Sequence, residues 1–197
     1  GKALNLTGTA DLSLGLDEQF AIRRVAASEI GLKLADARLD GMRLTGQVRF
    51  RNLAGTAEAL SGSAAVDLVL SGQPVSAELT TAGSVTLDGE RLEFRPDEAG
   101  MLRLRPLDAG SIALKGPVEL RPIAGREAWI AYDLEQGAAS AKLAMRPGTA
   151  SLTLGAGRDG VEARLAAQAL DLDWQSDGAM HLTVTEGRIM LPGYAVE

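Results

Sequence analysis

Cysteine is missing from this 197-residue chain, which excludes disulfides and thiolate metal sites and leaves the redox compartment open. Histidine occurs once, at position 181. Aromatic residues are scarce. Three Phe, two Trp and two Tyr are too few for a base-stacking or sugar-binding surface. They are also too few for the aromatic girdles of an outer-membrane barrel. No apolar run of membrane-spanning length and no signal-peptide pattern occurs in these residues, so any membrane anchor is expected outside them. Positive charge is not concentrated anywhere. The 20 basic and 26 acidic residues give a net charge of −6 with the signs interspersed, which argues against a nucleic-acid partner.

What the chain does have is alternation, and it is clearest from Gly83 to Leu120. Runs of apolar and polar residues at period two, the pattern of a strand with one dry face, are punctuated there by Asp88-Gly89, Pro96–Gly100 and Pro106–Gly110. Asp-Gly is a hairpin signal because Gly accepts the positive φ of a tight turn. The spacing predicts Val85 opposite Leu92 and Gly83 opposite Phe94. The two Pro-to-Gly loops are read as the next two turns of the meander, so Phe94 falls opposite Leu102 and Leu92 opposite Leu104. Leu104 then falls opposite Ile112 and Leu102 opposite Leu114. Glu93 and Arg103 form an ion pair on the other face. The loops repeat at a spacing of ten residues, Phe94–Gly100 against Leu104–Gly110, with a partial copy at Leu120–Gly125. Both a convergent turn solution and a repeating strand-and-turn unit account for that.

The same pattern runs through the rest of the chain. Leu12 and Leu14 lie in phase with Leu4, Leu6, Ala10 and Leu16. Within 17–30, Phe20 and Ile22 read as strand while Arg23–Ile30 fits a short helix or a bulged strand, and a phase slip at Leu34-Ala35 predicts a bulge. A turn at Asp40-Gly41 sets Leu39 opposite Met42 and Ala37 opposite Leu44. Leu44, Val48 and Phe50 then alternate with Arg43, Gln47, Arg49 and Arg51. The polar stretch 54–63 reads as a connector with one helical turn, before a strand carrying Val66, Leu68 and Leu70. Beyond Gly116-Pro117, alternation places Ile130, Tyr132 and Leu134 on one face, and Leu152 and Leu154 follow Pro147-Gly148. A hairpin at Asp159-Gly160 predicts Leu154 opposite Leu165. Ser176-Asp177-Gly178 predicts a three-residue hairpin with Trp174 opposite Met180, Leu172 opposite Leu182 and His181 opposite Asp173.

Two chemical motifs carry little. Gly155–Gly160 matches G-x-G-x-x-G, but no further parallel strands with crossover helices follow to complete a dinucleotide fold. His181, Asp173 and Ser176 lack a nucleophile elbow and an oxyanion hole, so a cross-strand pair is the better account. No enzyme, cofactor or metal ligand set is expected.

With few helices to cover it, a one-faced sheet of fourteen or fifteen strands must cover itself as a sandwich, a barrel or a curled open trough. Each large apolar side chain left in water forfeits roughly 1.5–3 kcal/mol. The expected fold is all-β: a long antiparallel meander curled into an open trough with an apolar inner face and at most one or two short helices. The expected lining is Leu12, Leu14, Leu44, Val48, Phe50 and Val66, then Leu68, Leu70, Val85, Leu92 and Phe94. It continues through Leu102, Leu104, Ile112, Leu114 and Leu152, and ends with Leu154, Leu165, Leu172, Trp174 and Leu182. Such a lining suits acyl chains, which need contact and no hydrogen bonds. Residues 1–197 are read as one groove segment of a longer protein.

The stretch Leu32–Gly46 (LKLADARLDGMRLTG) and the stretch Ser63–Gly72 resemble the AsmA-like family, repeating β-groove proteins of Gram-negative envelopes, closest to the YdbH type. The resemblance implies an inner-membrane anchor, a periplasmic β-groove, and phospholipid transport between inner and outer membrane that supports envelope integrity. It implies as partners phospholipid acyl chains, the rest of the same polypeptide and a protein at the outer membrane. The alternative is a structural or adhesive β-sandwich or β-solenoid with a closed Leu-rich core.

Overall fold

The structure is a computed structural model describing residues 6–19, 22–39, 42–56, 58–72, 76–108, 112–154 and 161–191, with backbone alone at 6, 22, 36–39, 107–108, 112 and 154. It is all-β: seventeen strands and no helix among the described residues. The strands are β1 (Leu6–Leu16), β2 (Ile22–Leu39), β3 (Met42–Gly55), β4 (Ala59–Ser71), β5 (Ala77–Asp88), β6 (Arg91–Pro96), β7 (Met101–Leu104), β8 (Leu107–Asp108) and β9 (Ile112–Leu114). They continue as β10 (Val118–Pro122), β11 (Trp129–Asp133), β12 (Ala138–Pro147), β13 (Ala150–Leu154), β14 (Val161–Ala166), β15 (Ala169–Gln175), β16 (Met180–Thr185) and β17 (Arg188–Met190).

All pairings are antiparallel, and they reduce to a simple plan. β6 and β7 lie end to end along one edge of β5, and β10 and β11 lie end to end along one edge of β12. β8, β9, β13, β14 and β17 carry on from β7, β10, β12, β15 and β16 in the same lateral order. The molecule is therefore a meander of ten ribbons, each running opposite to the last. β1 and β16 pair on one side only among the described residues, so the main sheet does not close into a barrel.

Alternation fixes the faces. Leu14, Val25, Gly55, Leu60, Leu87, Leu92 and Tyr132 are successive cross-strand partners, and so are Val48, Val66 and Thr81. Residues directly opposite share a face, so the aliphatic residues of all ten ribbons point one way. Bulges bend the sheet without exchanging its faces. Ser28 is the extra residue beside Asp11/Leu12. Between Arg51 and Ala54 the chain takes a left-handed turn at Asn52 (φ 53°). Across from that bulge, a Cβ at Gly62 would meet the Leu53 side chain at 2.8 Å, so the missing side chain is what admits Leu53 to the apolar face.

Five ribbons are interrupted at one level: at Arg105-Pro106, Lys115–Pro117, Gly148-Thr149, Ala167-Gln168, and Glu186-Gly187 where Glu186 has φ 49°. Backbone bonds stitch this line, Lys115 N–H to Ser151 O at 2.9 Å and Gly148 N–H to Glu119 O at 2.7 Å. The sheet creases there. Leu114, Val118 and Leu120 are buried in the corner against Leu102, Leu104, Met145, Leu152 and Leu170.

Several expected registers are corrected. Asp88 stays in the ladder opposite Arg91, the loop is Gly89-Glu90 with Gly89 at φ 57°, and Val85 therefore faces Phe94 while Leu92 faces Leu87. The shift is by two residues, so no face changes. Pro96–Gly100 is not a hairpin. It is an outpouching after which the strand rejoins the same edge of β5, so Phe94 lies opposite Ile130 and Leu102 opposite Leu79 and Leu120. The turn after Pro106 does reverse the chain, later than expected, and Leu104 faces Val118. Glu93 pairs with Arg91 and Arg95, while Arg103 is 3.9 Å from Glu119. Segments 22–30 and 59–63 are strand, because helix there would leave the neighbouring ribbons' backbone groups unpaired. Leu154 pairs with Val161 and Leu165 with Ala150, and β14 is strand. The G-x-G-x-x-G residues 155–160 and the turn at 40–41 lie outside the described residues. The register around 40–41 and the hairpin at 176–178 are as expected.

Candidate functional site

The accessible surface is 13,034 Å², against about 8,800 Å² for a compact 20.5 kDa protein. The close neighbours of each strand are its ladder partners, and the main sheet does not close on itself. Two hollows of about 250 and 280 Å³ lie on this face, sharing Phe50, Val85 and Leu92. A larger one of about 680 Å³ sits in the crease, walled by Leu104, Leu114, Val118, Leu152, Leu165 and Leu170. Burial is deep in the corner and again at Ala64 and Val85, and is lost at the outer ribbons. Leu120 is 9% exposed, whereas Leu14 is 50% and Leu182 58% exposed.

Of the expected lining, Leu12, Leu14, Leu44, Val48, Phe50, Val66, Leu68 and Leu70 share this face on β1, β3 and β4. Val85, Leu92, Phe94, Leu102, Leu104, Leu114, Leu152, Leu165, Leu172, Trp174 and Leu182 share it on later ribbons. The side chains of Ile112 and Leu154 lie outside the described residues. They do not form one pocket: Leu12 and Leu14 sit at the free edge, far along the sheet from the crease. Ile30, Leu32, Leu53 and Leu60 also border the hollows. Ile30 and Leu60 are hidden from a sequence reading that leaves 23–30 and 54–63 open to helix, whereas Leu32 and Leu53 lie outside those stretches. The unbroken alternation Leu60-Gly62-Ala64-Val66 was the available signal for Leu60.

The opposite face is polar and paired. Glu93, with a 13% exposed side chain, accepts from Arg95 at 2.6 Å and Arg91 at 2.9 Å. Burial raises its pKa, but the two guanidinium bonds outweigh that and hold the carboxyl below its ordinary value. The Arg105 hydrogen bond likewise lowers Glu78. Lys142 bonds Glu127 at 2.8 Å, which lowers the acid and raises the base. The two tryptophans divide between the faces. Trp174 lies opposite Ala141 and Met180 on the apolar side, while Trp129 lies under Arg91 with its centroid at 5.0 Å and donates to Glu127.

Charge is also divided between the rims. At one end of the ribbons, the turns after β1, β3, β5, β11 and β15 and the strand ends beside them carry Asp17, Glu18, Glu58, Asp88, Glu90, Asp133, Glu135 and Asp177. Against these eight acids stand Arg23, Arg24 and Arg91, Arg23 lying 2.7 Å from Asp17. This rim therefore carries −5 of the chain's net −6, with eighteen acids and seventeen bases elsewhere. No group of three metal-ligating side chains occurs among the described residues, and no helix is long and apolar enough to cross a membrane.

No family model, no curated protein and no solved structure matches this chain.

Proposed function

We propose that this chain is a lipid-binding segment of a periplasmic β-groove that conducts phospholipid acyl chains between the inner and outer membranes. The observation that carries the reading is the uncovered apolar face: aliphatic, continuous over ten ribbons and free of charged side chains along its rows. Leaving such a face in water is costly, so it calls for a partner. An alkyl chain fits the chemistry, since it needs contact and brings no polar group to satisfy. The face offers no arrangement of nucleophile, base and oxyanion donor, so we read the protein as a binding module and not an enzyme. The AsmA-like texture supplies the periplasmic location, the anchor in the inner membrane and the outer-membrane partner.

The test is native mass spectrometry of the chain after incubation with phospholipid vesicles, with extraction of the bound fraction. Bound phospholipid, competed off by free fatty acid, is the expected result. A chain that stays lipid-free at saturating vesicle concentration overturns the proposal.

A further inference from the structure

The hollow in the crease differs from the two on the rest of the apolar face by more than its size. Fifteen of its sixteen wall residues are aliphatic, proline or glycine, and the sixteenth is Arg188. Neither of the smaller hollows has a charged wall residue. Arg188 stands opposite Ala166 in the last rung of the β14–β17 ladder, and both border the hollow although alternation alone would turn them to the polar side. The breaks at Ala167-Gln168 and Glu186-Gly187 supply the reason. A ribbon that turns there presents consecutive residues, Leu165, Ala166 and Ala167, to the same space. The Arg188 side chain is exposed, and no carboxylate pairs with it among the described residues. Most of the remaining wall is internal to the sheet: β7, β9, β10, β13, β14 and β15 each have a ladder partner on both sides.

We infer that the crease hollow seats one alkyl chain of an anionic amphiphile, tail towards Leu114, Val118 and Leu120 and head group on Arg188. That seat presupposes the lipid reading and narrows it, from contact anywhere on the apolar face to one place with a charge requirement. The tail end is dry, since those three residues are at most 9% exposed. Arg188 lies three ribbons from Leu114, about 14 Å across the ladder, so a chain laid across the crease ends at the cation. A hollow of about 680 Å³ falls in the size range that buries most of a small ligand. The guanidinium fork matches a carboxylate or a phosphodiester, and an uncharged head group gains little from it. The chain carries −6 and repels anions at long range, so a preference for one must come from a local contact.

Fatty-acid carboxylates and phospholipid phosphodiesters share this chemistry. Native mass spectrometry of the intact chain separates them, using three amphiphiles with the same single tail: a fatty acid, a lysophosphatidylglycerol and an uncharged monoacylglycerol. One tightly bound equivalent of at least one anion is expected, with affinity tenfold or more above that of the monoacylglycerol. Whichever anion leads identifies the source of the head group. Arg188→Gln, at an exposed position and checked by circular dichroism, should abolish that advantage and leave monoacylglycerol binding unchanged. Equal or tighter binding of the uncharged amphiphile, or an anion advantage that survives in Arg188→Gln, overturns the seat and leaves the lipid reading standing. Refusal of all three overturns the seat, and it overturns the lipid reading as well only if phospholipid from vesicles is also refused.

Discussion

The crease and the free edge are made of the same residues in the same alternation, yet they end up in opposite environments. Leu114, Val118 and Leu120 are at most 9% exposed, while Leu12, Leu14 and Leu16 are at least 50% exposed. Period-two patterning therefore decides which face a side chain takes and does not decide whether that face is covered. Cover comes from the interruptions. Where Pro106, Pro117, Gly148 and Gly187 fall at one level on successive ribbons, the sheet creases and a small core gathers in the corner. On β1, at the free edge, the face stays open, although Ala64 and Val85 on β4 and β5 are buried.

The largest expected effect comes from attacking the covered side. Leu120→Ala should cost about 2–5 kcal/mol, because it removes contacts and leaves a void in the only well-packed corner among the described residues. Thermal unfolding measures it. Next is a backbone effect in the open region. Gly46 has φ 139°, and a Cβ there would lie 2.1 Å from the Asp67 carbonyl oxygen. Gly46→Ala should therefore destabilise by about 1–3 kcal/mol, with loss of hydrogen-exchange protection centred on β3 and β4.

A smaller effect is expected from pH. Glu78 and Glu93 have folded-state pKa values below the ordinary 4.5. Their contribution is complete above that value and is lost as pH falls through the lowered folded values. The native chain should lose melting temperature on going from pH 7 to about 3.5, and Glu93→Gln should lose less over the same interval. Equal losses would show that the Arg91–Glu93–Arg95 cluster does not couple to folding. The smallest effect belongs to the free edge. Leu14→Ala should cost under about 1 kcal/mol, since half of that side chain is already in water. If Leu14→Ala and Leu120→Ala proved equally costly, the contrast between corner and edge would fail.

Much of this plan was legible in the sequence, and the missed parts share a cause. The hairpin at Ser176–Gly178 came out residue for residue, as did the pairing of Leu39 with Met42, because short turns with Gly admit few geometries. The loop Pro96–Gly100 did not. A Pro and a Gly five residues apart suit a chain reversal and an outpouching equally well, and only the edge of β5, reached again by Leu102, decides between them. The crease was hidden for a related reason. Each break is an ordinary loop signal by itself, and their alignment exists only once ribbons distant in sequence are laid side by side. The charged rim was equally invisible, since its eight acids are scattered over five turns and the strand ends beside them and gather only when the meander folds.

The account rests on alkyl chains entering by the apolar face, and the chain carries a reporter on each side. Trp174 lies on the apolar face and Trp129 on the polar one. Fluorescence of the chain with phospholipids bearing brominated acyl chains reads which side the lipid touches. Quenching that persists in Trp129→Phe and disappears in Trp174→Phe is the predicted result. Quenching of both tryptophans alike, or of Trp129 alone, would contradict it.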